Sequence, residues 1–70
     1  MTDTELLHRT IKQSGLKVVS IAEKMGRNRS RIYSILHGAD CTASEITALS
    51  SILNLSRDER DQIFFALKRE

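Results

Sequence analysis

Apolar positions recur along this chain at spacings of three and four, and nowhere do they alternate with polar ones over a strand's length. Leu6, Leu7 and Ile11 mark a first helix over about 3–14, closed by Gly15. A second helix runs over about 18–25 with Ile21 facing inward, and Gly26 ends it. A third follows Asn28, a strong N-cap, turns Ile32 and Ile35 inward and ends at Gly38. A fourth covers about 43–53 with Ile46, Leu49, Ile52 and Leu53 inward, Asn54 as a left-handed terminator and Leu55 returning to the core. A fifth spans about 57–68 and buries Ile63, Ala66 and Leu67. Three capping boxes sharpen the starts: Thr2 with Glu5, Thr42 with Glu45, and Ser56 with Glu59. The second helix has no such cap, because Lys17 offers no acceptor, and a hydrophobic staple between Leu16 and Ile21 is expected instead. The predicted architecture is all-α: a compact five-helix bundle forming a single domain over residues 1–70.

The most informative stretch is residues 18–38, VVSIAEKMGRNRSRIYSILHG. A small residue, Ala22, falls where its two helices would cross, and Gly26 falls where the turn needs a positive φ. Ile21, Met25, Ile32 and Ile35 fall where the pair must bury against the rest of the chain. This is the pattern of a helix-turn-helix, which delivers one exposed helix into a DNA groove.

Charge sharpens that picture. Residues 9–31 hold seven basic residues (Arg9, Lys12, Lys17, Lys24, Arg27, Arg29, Arg31) against one acid, Glu23, whereas the remainder holds four basic and eight acidic residues. The net charge of +2 therefore conceals a segregated positive surface, the footprint of a phosphate-binding face. At 70 residues the chain has room for one small core, with stability of roughly 3–5 kcal/mol, and none for a catalytic cleft with a substrate domain. The lone Cys41 forms no internal disulfide, no leader pattern stands at the start and no apolar run approaches a membrane span, so a cytoplasmic location is expected.

The 18–38 pattern, followed by Ile46, Leu49, Leu53 and Leu55, resembles the phage Cro/CI repressor-like helix-turn-helix family. Ala22, Gly26, Ile32, Ile35 and Gly38 stand at that family's steps, and the resemblance covers the first four helices. It implies a five-helix, DNA-binding transcriptional regulator that acts as a dimer. Carried over by position, it implies that Arg29, Ser30 and Ser34 read base edges. Arg31 and His37 then lie within reach of the backbone, and Lys17, Lys24 and Arg27 add phosphate charge. An arginine at the start of a groove-inserted helix suits this role, because its fork matches guanine O6 and N7 for about 1–3 kcal/mol of discrimination.

The sequence also departs from the family. Val18 stands where many relatives place a phosphate-clamping amide, and the loop after the third helix carries Asp40. Where some relatives join the first and third helices by an Arg–Glu pair, this chain has Ile11 and Leu36. Tyr33 has two readings: a stacking residue with its hydroxyl on a phosphate, or a partly buried core residue.

Other chemistry finds little support. His8, His37 and Cys41 are the only soft metal ligands and do not compose a tetrahedral set. No nucleophile–base pair or glycine-rich phosphate loop occurs, and Asp58, Glu59 and Asp61 suit a helix N-terminus rather than acid–base work. No enzyme activity, cofactor, metal or small-molecule substrate is expected. Phe65 lies about 200° from Ile63 on a helix, so either the fifth helix wedges deeply between its neighbours or Phe64 and Phe65 form a protein interface, the favoured reading. Two functions follow. The first is binding of double-stranded operator DNA by a small transcriptional regulator, most simply a homodimer. The alternative is an antirepressor, modulator of repression or antitoxin-like protein that acts on another regulator.

Overall fold

The computed structural model describes residues 2–66, and within them five helices follow one another with no strand. They are α1 (Thr4–Ser14), α2 (Val18–Met25), α3 (Arg29–Leu36), α4 (Ala43–Ile52) and α5 (Arg57–Phe64). The all-α architecture is as expected, and its Cα radius of gyration of 11.2 Å equals that of a compact chain of this length, about 11 Å. One core collects a stripe from every helix: Leu7 and Ile11 of α1, Ile21 and Ala22 of α2, Ile32, Ile35 and Leu36 of α3, Leu49 of α4, and Ile63 and Phe64 of α5.

The helix ends follow from local chemistry. The boxes Thr42/Glu45 and Ser56/Glu59 are both formed, each hydroxyl accepting from the amide three residues on and each carboxylate reaching back. The Thr2/Glu5 box is not formed. Asp3 caps α1 instead, its Oδ1 accepting from the Leu6 amide at 3.0 Å. A carboxylate adds favourable charge at the positive end of the helix, and the Asp3 amide is tied to the Ile63 carbonyl at 2.6 Å, which sets the start one residue later. Lys17 gives α2 no side-chain cap, as expected. Leu16 packs against the core beside the fully buried Ile21.

Between α2 and α3 the chain reverses at Gly26, with φ 69°. The Arg27 amide donates to the Ala22 carbonyl at 2.9 Å and the Gly26 amide to Glu23 at 3.1 Å, which closes the helix with two bonds. Ala22, only 2% exposed, lets α3 approach α2 closely. Asn54, at φ 55°, closes α4 in the same way: the Leu55 amide reaches Ser50 at 2.8 Å, and Leu55 turns back against the core.

The fifth helix departs from expectation. It ends at Phe64 rather than near 68, and Phe65 leaves helical geometry. The Ile63 carbonyl accepts from the Asp3 amide, which ties the end of α5 to the start of α1. The earlier end also rearranges the burial. Ile63 and Phe64 are the buried pair, Ala66 is half-buried, and the expected burial of Leu67 lies outside the described residues. Phe64, expected with Phe65 at a protein interface, is 3% exposed and belongs to the core, because α5 packs against both α1 and α4. Phe65 alone remains at the surface, 51% exposed. Among the described residues no helix is long and apolar enough to cross a membrane.

Candidate nucleic-acid interface

Eight residues make α3, and all but the partly buried Arg31 fall on one side or the other. Ile32, Ile35 and Leu36 are buried, which fixes the helix's rotation and turns Arg29, Ser30, Tyr33 and Ser34 outward, with His37 following them. Positions 30, 34 and 37 form one stripe at helical spacing, with Arg29 and Tyr33 beside it. Asn28 holds the start of this helix, its Oδ1 accepting from the Arg31 amide at 3.3 Å. The three residues expected to read bases, Arg29, Ser30 and Ser34, therefore share one exposed face.

Of the residues expected at phosphates, Lys17, Lys24 and Arg27 are exposed on the α2 side. His37 is also exposed, with Nδ1 2.7 Å from the Tyr33 carbonyl; a carbonyl only accepts, so that nitrogen carries the hydrogen. Arg31 has a different role from the one expected. Its Nε and Nη2 donate to the two carboxylate oxygens of Glu45, both at 2.7 Å, and Nη2 also donates to the Asp40 carbonyl at 2.7 Å. The fork pins α3 to the first turn of α4 and to the loop before it, and its charge is neutralised by a carboxylate rather than offered to phosphate.

Glu45 is the residue that sequence reasoning missed. It was legible as a capping-box member, and Oε1 does accept from the Thr42 amide at 2.9 Å. Its side chain is nevertheless only 2% exposed, and it takes the Arg31 fork as well, with Arg27 Nε 3.8 Å away. The Arg31 hydrogen bonds outweigh the desolvation that would raise its pKa and hold the carboxyl down at about 2, from an ordinary 4.5. The same bonds raise the Arg31 pKa. Fourteen residues separate the partners, and no sequence periodicity links positions so far apart. Every buried side-chain polar atom among the described residues is hydrogen-bonded, so this polar cluster is complete.

No known protein family, characterised protein or solved structure matches this chain. What the surface can do follows from its own chemistry. Ile11 and Leu36 lie in the core as an apolar contact between α1 and α3. Val18 is half-buried at the start of α2 and offers no side-chain hydrogen bond to a phosphate, and Val19 beside it is 44% exposed. Tyr33 is 48% exposed, which favours the surface reading over the core one. Burial pushes the half-buried Cys41 thiol up, away from the thiolate a nucleophile requires. Among the described residues no three His, Cys, Asp or Glu side chains cluster as metal ligands.

Proposed function

We propose that this chain is a small phage-type transcriptional regulator that binds operator DNA through α3 in the cytoplasm. The observation that carries the reading is the exposed face of α3. Arg29, Ser30 and Ser34 stand together on a helix whose opposite face is locked into the core. An α-helix with its side chains is about 10–12 Å across, and the major groove is about 12 Å wide, so α3 fits with its N-terminal residues at the base edges. Unlike Arg31, Arg29 has no ion-pair partner among the described residues, and its fork is available to guanine O6 and N7. Ser30 and Ser34 add short donors and acceptors. Lys17, Lys24 and Arg27 supply phosphate charge from the α2 side, and His37 does so from the far end of α3. Arg31 is withdrawn from the phosphate set and positions α3 instead.

Selection of the purified chain against a random duplex library at about 150 mM salt tests this reading, since non-specific complexes are then only 10⁻⁴–10⁻⁶ M. An enriched motif supports it, and a palindrome with half-sites about one helical turn apart identifies a homodimer. Recovery of no motif refutes sequence-specific reading by this chain.

A second reading has one specific observation in its favour. Val19 on α2 and Tyr33 on α3 expose apolar surface on the two helices of the proposed DNA-binding unit, where a phosphate backbone would reward polar groups. Such a surface suits an antirepressor or modulator that engages another regulator. An Arg29→Glu variant that retains full partner activity while losing DNA binding would favour this reading.

A further inference from the structure

We propose that the open groove between α1 and α3 is a docking site for an acidic amphipathic helix of a partner protein. The groove encloses about 510 Å³. Its apolar floor is half-buried Val18 from the start of α2, over Ile11 and Leu36, which belong to the core and are only 6% and 5% exposed. Tyr33, 48% exposed, stands at its side as an aromatic wall without a partner. The rim comes from a single ridge of α1, since Glu5, His8, Arg9 and Lys12 follow one another at i, i+3, i+4 and i+7. Arg9 and Lys12 are exposed, and Glu5 is the one acid among the lining residues.

That combination selects the occupant. The exposed cations Arg9 and Lys12 attract either a phosphate backbone or a carboxylate-bearing peptide. Only the peptide gains from the apolar lining, because apolar side chains at i, i+3 or i+4 and i+7 leave water against Val18 and Tyr33 while the flanking Asp and Glu meet the rim. A half-exposed tyrosine is the kind of side chain that anchors such contacts. The groove is open along its length rather than closed around its contents, so a helix laid across it fits better than an enclosed small molecule. The groove borders the face of Arg29, Ser30 and Ser34 at Tyr33 but contains none of those three residues, so the inference rests on the partner-binding reading and not on DNA being read by them.

A displayed library of helical peptides about five turns long, panned on the full chain, tests this. The most enriched peptide is then titrated into the isotope-labelled chain and followed by amide chemical shifts. The expected peptides carry an apolar i, i+3/i+4, i+7 stripe flanked by Asp or Glu and shift the amides of residues 5–12 and 33–36. The double reversal Arg9→Glu with Lys12→Glu weakens the peptide roughly tenfold or more, and Tyr33→Ala does the same. Both variants change exposed side chains, so their thermal melts match the wild type; Arg9→Gln with Lys12→Gln gives a graded loss without charge reversal. Enriched peptides without acidic residues, shifts centred elsewhere or indifference to the double reversal would overturn the proposal, as would an unenriched library. In a separate titration, a random duplex that shifts these same amides when no peptide does would assign the groove to the phosphate backbone and also overturn it.

Discussion

Replacing Glu45 with Gln keeps the shape of the side chain and removes one charge from the least accessible ionic contact in the structure. The amide oxygen can still accept from Thr42, but its NH₂ faces an arginine donor, and the Arg31 fork loses its counter-charge. A carboxyl held at about 2 instead of 4.5 corresponds to about 3 kcal/mol of folding free energy at neutral pH. The Arg31 side chain is 31% exposed, so water offsets part of that loss, and about 2 kcal/mol is expected for Glu45→Gln. Against a total of roughly 3–5 kcal/mol this is a large fraction, worth a fall of about 8–16 °C in Tm. Circular dichroism melts and urea titrations of both proteins measure it. The pH dependence gives a sharper check. Glu45 has a folded pKa below its unfolded one, so its contribution is complete above pH ~4.5 and declines as pH falls toward 2. Other carboxylates titrate in both proteins and cancel in the difference. The gap between wild type and Glu45→Gln should therefore close between pH ~5 and 2. A gap under about 0.5 kcal/mol at pH 7, or one that is unchanged at pH 2.5, would refute the assignment.

Three further outcomes follow. Arg29→Ala should weaken specific binding by about 1–3 kcal/mol and relax preference at one base pair, as read by binding to single-substitution operator variants; equal loss on random DNA would make Arg29 a phosphate contact. Lys17→Ala with Lys24→Ala should reduce the slope of log K against log salt by about 2, whereas Arg31→Met, which removes a charge already engaged by Glu45, should leave it unchanged. Phe64→Ala should cost about 3–5 kcal/mol and leave little folded protein, while Phe65→Ala should melt within about 0.5 kcal/mol of the wild type. Equal tolerance of both phenylalanine changes in thermal melts would restore Phe64 to the surface.

The five helices and most of their ends were legible in the residues alone, because the signals are local. Apolar spacing fixes which face is buried, as Ile32, Ile35 and Leu36 show, and a cap acts over only three or four residues, as at Asn28, Thr42 and Ser56. Gly26 and Asn54 announced their turns because few other residues adopt a positive φ readily. The exposure of Arg29, Ser30 and Ser34 followed from the same periodicity.

Tertiary structure decided what depends on partners distant in the chain. Asp3 caps α1 in place of the Thr2 box, and its amide joins the start of α1 to the end of α5 through a backbone bond to Ile63, 60 positions away. Phe64 entered the core because α1 and α4 converge on it, a convergence no periodicity within α5 encodes. Arg31 reads as one more cation of a basic stretch until the fold sets Glu45 2.7 Å from its fork. Attraction between charges falls with separation in space and is indifferent to separation along the chain. A sequence can therefore show that a face is basic, and only the folded arrangement shows which of its cations remain free to bind.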